Sequence, residues 1–131
     1  MANSLRVVLD TNILVSAFFW EGNERKILLK CKKRKLDSII SLEILNELEK
    51  VLKMKFKVPE NKIRDYSKEI LYFSEIVFPL GELDIVKEDP TDNIILETAL
   101  IGKANILVTG NKHLLKLKKF KNIKILQTKD V

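Results

Sequence analysis

The 131-residue sequence predicts an α/β fold, in which a central, mostly parallel sheet lies between helices in a three-layer α/β/α arrangement. Short apolar runs rich in β-branched residues, which are typical of strands, alternate along the chain with longer segments of helical periodicity. Parallel strands need helical crossovers, and this alternation supplies them. The length suits a single core, so we expect one domain over residues 1–131.

The first half of the chain contains two predicted strands and four predicted helices. The strands are "LRVVL" at 5–9 and "SIIS" at 38–41. Helical spacing of apolar residues predicts helices over 12–19, 23–34 and 42–54. Pro59 opens the fourth helix, because proline is favoured in the first turn. Its predicted inward face consists of Ile63, Tyr66, Ile70 and Phe73.

The second half begins with a loop that Pro79 and Gly81 indicate. A largely apolar helix follows from about Asp92 and ends at Gly102, a favoured residue after a helix. "NILVTG" at 105–110 is predicted to be a buried strand, "KHLLKL" a short helix and "NIKIL" a last strand.

The composition indicates a folded protein with a basic surface. The chain is 46% hydrophobic and 32% charged, and its formal net charge is +6. Such a charge attracts RNA or DNA, although lysine-rich surfaces are also common in proteins from hot environments. The single cysteine excludes an internal disulfide. "MANSLRVVLD" does not resemble a secretory leader and no apolar run is long enough to span a bilayer, so we expect a cytoplasmic protein without a membrane partner.

Three acids and one amide occupy positions that point to a ligand site. Asp10 follows the first strand, Glu47 lies in the helix after the second, Asp92 stands at a helix start and Asn111 follows "VTG". Ligands of such sheets bind beyond the carboxyl ends of the strands. Converging carboxylates raise one another's pKa values unless a cation lies between them, and oxygen ligands suit magnesium or manganese.

Each of these acids also has a structural explanation. Asp10 and Asp92 both precede or begin helices, where aspartate is a favoured N-cap residue. Periodicity does not distinguish Glu47 from Glu49, because both flank the apolar face of the same helix. The residues alone therefore leave a cap and a cation site as alternatives.

Four segments in order, "VVLDTNILVSAF", "SLEILNELEKVL", "EDPTDNIILETAL" and "ANILVTGNKHLL", resemble the PIN-domain family over essentially the whole chain. The sequence is most similar to small single-domain members regarded as toxins of toxin–antitoxin pairs. The resemblance implies a PIN-like fold in which Asp10, Glu47 and Asp92 bind Mg²⁺ or Mn²⁺. It also implies that Asn12 and Thr109 support these ligands.

Asn111 occupies the position at which members of the family usually carry a fourth acidic catalytic residue, an aspartate. An amide still offers a carbonyl oxygen or a hydrogen bond, but it removes one negative charge and should weaken a metal position. Asp89 and Glu97 are neighbouring acids that could compensate for the lost charge, although we favour the interpretation of each as a solvated residue or a structural residue of a cap or turn.

The resemblance implies a metal-dependent endoribonuclease that hydrolyses RNA phosphodiester bonds, in which the metal polarises phosphate and lowers the pKa of an attacking water. Its implied partners are RNA, a small antitoxin and a second copy in a homodimer. The basic runs "KCKKRK" and "KLKKFKNIK" are candidates for holding the RNA backbone. The alternative, which Asn111 suggests, is a catalytically weakened PIN fold acting as an RNA-binding or protein-binding module.

Two further features receive structural interpretations. His113 is the only histidine and has no evident partner for metal or acid–base work, so we interpret it as structural. "AFFW" at 17–20 is expected to pack in the core. Exposure of these aromatic residues would instead indicate a surface for a second copy or an antitoxin.

Overall fold

Six strands form the centre of the protein in a computed structural model that describes residues 4–131. Residues 1–3, part of the stretch expected to carry no leader, lie outside the described residues. The strands are β1 (Arg6–Leu9), β2 (Asp37–Ser41), β3 (Ser74–Val77), β4 (Ile106–Val108), β5 (Lys119–Phe120) and β6 (Ile123–Leu126). Their order in the sheet is β3-β2-β1-β4-β6-β5, and every pairing is parallel except that of β5 with β6.

The strands are connected by helices whose bounds follow the apolar periodicity closely. They are α1 (Thr11–Phe19), α2 (Asn23–Lys32), α3 (Leu42–Met54), α4 (Glu60–Phe73), α5 (Pro90–Ile101) and α6 (Lys112–Leu115), with a 3₁₀ turn at Thr128–Asp130. Right-handed crossovers place α1 to α4 on one face of the sheet and α5 on the other, because the chain reverses direction after β3. The α/β class with a central, mostly parallel sheet is thereby confirmed.

The end of α5 lies close to β2 because Gly102 ends that helix without a side chain. A Cβ atom at this position would overlap the Cγ2 methyl of Ile39 in β2. The carbonyl of Gly102 also accepts hydrogen bonds from the Arg6 guanidinium, at 3.0 Å from Nε and 2.8 Å from Nη2. The terminal turn of α5 is therefore fixed against two neighbouring strands, β1 and β2.

The topology creates a switch point between β1 and β4. From β1 the chain proceeds through β2 to β3 on one side, then returns to form β4 on the other side of β1. The connections that leave β1 and β4 therefore diverge, and a crevice opens at the carboxyl ends of these two strands. Asp10 follows β1 directly, and Thr109 follows β4.

The structure contains two strands that the sequence did not predict and corrects one helix boundary. β3 follows α4 without a turn residue between them, and the antiparallel β5 is only two residues long. α5 begins at Pro90 rather than at about Asp92, and its N-cap is Asp89, whose Oδ1 accepts from the Thr91 amide at 3.0 Å. Asp92 is therefore inside the first turn, and its interpretation as a cap is wrong.

The predicted inward residues are buried, with the aromatic segment as an exception. The α4 residues expected to face inward, Ile63, Tyr66, Ile70 and Phe73, are all buried. Of "AFFW", Ala17 is buried and the two phenylalanines are partly buried, but Trp20 is 59% exposed. The expectation that this whole segment lies in the core is wrong, because α1 ends at Phe19 and Trp20 lies beyond it. Phe19 packs on Phe56, with ring centroids 4.7 Å apart.

Within residues 4–131, no helix combines the length and apolar character that crossing a membrane requires.

Candidate functional site

Asp10 lies at the carboxyl end of β1, in the crevice at the switch point. Its backbone amide continues the ladder with β4 by donating to the carbonyl of Val108 at 2.9 Å. The residue is 4% exposed, and its Oδ2 accepts a hydrogen bond from the Thr109 hydroxyl at 2.6 Å. Asp10 occupies the N-cap position of α1, but its side chain makes no capping hydrogen bond within the described chain. A regular capping hydrogen bond is therefore absent, although the backbone amides of Thr11 and Asn12, at the start of α1, lie close enough to the carboxylate to lower its pKa.

Burial raises the pKa of Asp10, while the hydrogen bond from Thr109 opposes that shift. Thr109 is itself fully buried, and its hydroxyl oxygen also accepts a hydrogen bond from the backbone amide of Asn111 at 3.0 Å. Its hydroxyl therefore links the end of β4 to both Asp10 and the following turn. The supporting role expected for Thr109 agrees with this geometry.

The structure distinguishes the two glutamates of α3 that periodicity left equivalent. Glu49 turns towards α4, where the Ser67 hydroxyl donates to its Oε2 at 2.6 Å. Glu47 instead faces the crevice, and the Thr11 hydroxyl donates to its Oε1 at the long distance of 3.5 Å. Burial raises the pKa of Glu47, and the negative charges of Asp10 and Asp89 raise it further.

Asp92 points into the same crevice from the first turn of α5. The residue is 3% exposed, and burial together with the charges of Asp89 and Asp10 raises its pKa to about 6. Its Oδ1 accepts a 3.4 Å hydrogen bond from the amide of Asn111. Its Oδ2 is buried and has no hydrogen-bond partner among the described residues. A buried carboxylate oxygen without a partner is costly unless a ligand completes it.

Asn111 is the N-cap residue of α6, and its side-chain carbonyl oxygen does not point into the crevice. Its Oδ1 accepts from the backbone amides of His113, at 2.8 Å, and Leu114, at 3.3 Å. Because these two donors require an acceptor, the amino group of the amide must face Asp92. Where a fourth acid would place a carboxylate oxygen beside Asp92, this chain therefore places a hydrogen-bond donor.

Asp89 belongs to the acidic cluster as well as capping α5. Its charge raises the pKa values of Asp10, Glu47 and Asp92. From the sequence we favoured a solvated or structural role for Asp89 over compensation for Asn111, and its cap bond is present in the structure. The missed signal is the spacing in "EDPTD", because residues three apart at a helix start lie on one face.

The remaining candidates lie outside this cluster. The side chain of Asn12 is exposed and forms no hydrogen bond within residues 4–131, so only its backbone amide, which lowers the pKa of Asp10, supports that carboxylate. Glu97 is buried, but its carboxylate accepts from backbone amides of residues 80–83, which agrees with its structural interpretation. His113 is exposed at the rim, where its charge lowers the pKa of Asp92, and its Nδ1 lies 3.9 Å from Glu88 Oε2.

A groove of about 550 Å³ continues from the acidic cluster between α3 and the start of α5. Ile44, Val51 and Ile95 supply apolar surface, and Glu47 is shared with the cluster. Lys50 lines the same groove one turn beyond Glu47, and its charge lowers the pKa of that glutamate. A volume of this size accommodates a small organic group such as a nucleotide.

The donor chemistry of the cluster suits a hard divalent cation, although the side chains are not closed around one position. Within residues 4–131, no group of three or more His, Cys, Asp or Glu side chains is arranged to hold a metal ion as it stands. Among the described residues, Asp92 Oδ2 is buried without a partner, and burial, with a smaller contribution from neighbouring acids, raises the pKa values of Asp10, Glu47 and Asp92. The oxygen donors present are those that Mg²⁺ and Mn²⁺ prefer.

Comparisons with known proteins agree with this geometry. A sequence model of the PIN domain matches residues 6–113. The fold is similar to a chain in the crystal structure of VapBC2 from Rickettsia felis bound to a DNA fragment from their promoter. That similarity has a TM-score of 0.62 at 22% identity, and it covers 92% of this chain and 97% of the other. No curated protein sequence matches this chain.

Proposed function

The chain belongs to the PIN-domain family. We propose that it is a metal-dependent endoribonuclease and the toxin of a toxin–antitoxin pair. The observation that carries the proposal is the convergence of Asp10, Glu47 and Asp92 at the switch point of the sheet. Three separate elements supply these acids, and each acid has a raised pKa. Burial is the main cause of each shift and neighbouring acids add to it, so a cation bound among these carboxylates would lower the free-energy cost of ionising them.

Asp10, Glu47 and Asp92 are the residues that would hold Mg²⁺ or Mn²⁺. Asp92 offers its partnerless Oδ2, and Asp10 offers the oxygen that Thr109 does not occupy. When bound, the cation polarises the scissile phosphate and lowers the pKa of an attacking water.

The neighbouring residues have orienting and binding roles in this proposal. Thr109 fixes the rotamer of Asp10 through its 2.6 Å hydrogen bond, and the same bond favours the ionised carboxylate. Asn111 donates to Asp92 and so restrains the carboxylate that carries the partnerless oxygen. The groove beside Glu47 receives the nucleotide next to the scissile phosphate, and Lys50 supplies a positive charge for the RNA backbone there.

A small antitoxin is the protein partner that we propose. The similar chain from Rickettsia felis was crystallised within VapBC2, and this supports a protein partner for a chain of the same fold. Trp20 and Phe56 are exposed and both pack against Phe19, with ring centroids 5.3 and 4.7 Å from it, so they offer apolar surface for such contact. We further propose a homodimer and a cytoplasmic location, both of which follow from the family resemblance.

Cleavage of a mixed-sequence single-stranded RNA in Mg²⁺ or Mn²⁺ tests the activity. We expect cutting that EDTA abolishes and that is lost in the Asp10→Asn variant. Asp84→Asn is the matched control, because Asp84 is exposed, pairs with Lys87 at 2.7 Å and lies outside the cluster. Cutting by purified Asp10→Asn protein at the wild-type rate would contradict the proposed site.

Asn111 supports a second candidate function, a PIN fold that binds RNA or protein with little catalysis. Its amino group takes the place at which a further carboxylate would strengthen the cation site. RNA binding by the wild-type protein without any metal-dependent cutting would favour this binding module over the nuclease.

A further inference from the structure

A group of cations lies at the amino edge of the sheet, opposite the acidic cluster at the carboxyl edge. Three loops at the amino edge, which precede β2, β4 and β6, carry five of these cations, and the sixth is Lys124 near the start of β6. We call these cations the amino-edge basic face, and its members are Lys33, Arg34, Lys35, Lys103, Lys121 and Lys124.

Backbone hydrogen bonds place the three loops side by side. The amide of Asp37, after the first loop, donates to the carbonyl of Leu5 at 2.8 Å. The amide of Asn105, after the second, donates to the carbonyl of Arg6 at 2.7 Å, and its own carbonyl accepts from the amide of Lys124 at 3.0 Å. The end of the first basic run, the end of the second and Lys103 between them therefore meet on one edge of the sheet, opposite the acidic cluster.

Ion pairs do not neutralise the amino-edge basic face. None of its six cations forms an ion pair with a residue in the described chain. Arg34 donates to a neutral group, the carbonyl of Tyr72, at 3.2 Å, and Glu75 is paired with Arg6 at 3.0 Å. An uncompensated cluster of this kind attracts polyanions.

Three of these cations occupy a backbone conformation that favours glycine. Arg34, Lys103 and Lys121 have φ angles of 63°, 54° and 54°, in the left-handed region. Glycine or asparagine would adopt this conformation at lower cost than lysine or arginine. The chain therefore places charged side chains at three adjacent turns where smaller residues would serve the fold as well.

Two of the left-handed lysines line a groove of about 340 Å³ between the end of α5 and the β5–β6 turn. Lys103 and Lys121 contribute charge, and Asn105 and Asn122 contribute amide groups. Asn105 uses its Oδ1 to accept from the Arg6 amide at 2.8 Å, which leaves its amino group as a donor. Cations with neutral donors between them are the groups that hold phosphate and sugar oxygens of nucleic acids.

We propose that the amino-edge basic face binds the phosphate backbone of the RNA substrate at a distance from the acidic cluster. The inference rests on the proposed ribonuclease function for the identity of the polyanion. α5 runs from the cluster to Lys103, and its twelve residues span about 18 Å. An RNA that occupies both sites must be longer than this span, so the contribution of this face depends on RNA length.

Binding of long single-stranded RNA in EDTA tests the proposal without cleavage. We compare the wild-type protein with the double variant Lys103→Glu/Lys121→Glu. The control is Lys57→Glu/Lys62→Glu, which changes the net charge equally and includes another left-handed lysine away from the three loops. Circular dichroism melting checks that both variants fold.

We expect the amino-edge variant to bind long RNA at least about tenfold more weakly than the control does. Each phosphate contact releases counterions from the RNA, and a lost contact therefore loses this favourable contribution to binding. The slope of log affinity against log salt should decrease by about 1.4 for two lost contacts. Binding of an RNA too short to span α5 should match the control. Equal loss of affinity in both double variants, or no loss in either, would overturn the proposal, whereas failure of metal-dependent cutting would affect only the nuclease function.

Discussion

Asp92 has the least favourable electrostatic environment of the candidate ligands. It is 3% exposed, and its folded pKa of about 6 exceeds its usual value of 3.8 because of burial and neighbouring acids. Between these two pH values the folded protein binds more protons than the unfolded chain does. The metal-free protein therefore loses stability as the pH rises from about 4 to about 6, and this loss persists above that range.

The Asp92→Asn variant should remove this cost. At pH 7 in EDTA we expect its free energy of unfolding to exceed that of the wild type by about 1–3 kcal/mol, and the two should converge at pH 4. Addition of Mn²⁺ should stabilise the wild type but not the variant. Denaturant unfolding across the pH range measures both effects, with Asp84→Asn as control. A variant that is less stable than the wild type at pH 7 would contradict the proposed repulsion.

Asn111→Asp should restore the charge that this chain lacks. One carboxylate oxygen can keep the cap on His113 and Leu114, while the other replaces the amino group that faces Asp92. Repulsion should then lower the melting temperature in EDTA, and Mn²⁺ should raise it by more than in the wild type. RNA cutting should be faster. Identical Mn²⁺-induced shifts in both proteins would remove Asn111 from the site.

At the scale of elements, α5 positions both the acidic cluster and the loop before it. The carboxylate of Glu97 accepts hydrogen bonds from the amides of Leu80, Gly81, Glu82 and Leu83. One turn earlier, Asn93 Oδ1 accepts from the amides of Ile85 and Val86, each at 2.8 Å. Two polar side chains of one helix thus fix the segment that leads into Asp89.

Glu97→Gln should loosen this loop, because the amide replaces one accepting oxygen by a donor that faces other donors. We expect the free energy of unfolding to fall by about 1–3 kcal/mol. Amides of residues 80–83 should exchange with solvent faster, as hydrogen-exchange mass spectrometry can measure. Glu82→Gln is the control, since that side chain is exposed. Unchanged protection of these amides would show that Glu97 does not hold the loop.

The turn after α3 contains a residue in an unfavourable conformation. Lys57 has a φ angle of 55°, which costs a residue with a Cβ atom more than it costs glycine. Lys57→Gly should raise the free energy of unfolding by about 0.5–1 kcal/mol, after the entropy of glycine in the unfolded chain is subtracted. Lys55→Gly should instead destabilise, because Lys55 has a φ angle of −88°. Urea unfolding distinguishes the two outcomes, and a loss of stability in Lys57→Gly would contradict this reasoning.

The sequence predicts those elements well whose apolar pattern has a clear period. α3 has the predicted bounds, and β1, β2 and β4 differ from theirs by one or two residues at an end. β3 was missed because no glycine or proline separates it from α4. It is also a short edge strand with little alternation of apolar and polar residues. β5 was missed because two residues carry no periodic signal. Neither strand contributes a residue to the acidic cluster.

At the scale of the whole molecule, the candidate site depends on contacts that no local pattern contains. Asp10 and Thr109 are hydrogen-bonded across 99 residues of sequence. Periodicity could not choose Glu47 over Glu49, and the choice came from the family resemblance, which the structure then explains by their different partners. Asp89 was undervalued because its cap bond is a sufficient local explanation. Its place among the acids becomes visible only when the parallel strands align their carboxyl ends.

A divalent cation site at the switch point is central to the proposed function, and calorimetric titration with Mn²⁺ tests it most directly. We expect the wild-type protein and Asp84→Asn to bind Mn²⁺ with similar affinity, and Asp10→Asn to bind it at least about tenfold more weakly. The wild-type affinity should also decline as the pH falls through about 6, where Asp92 takes up a proton. Absence of Mn²⁺ binding by the wild-type protein, or equal binding by Asp10→Asn, would contradict the account.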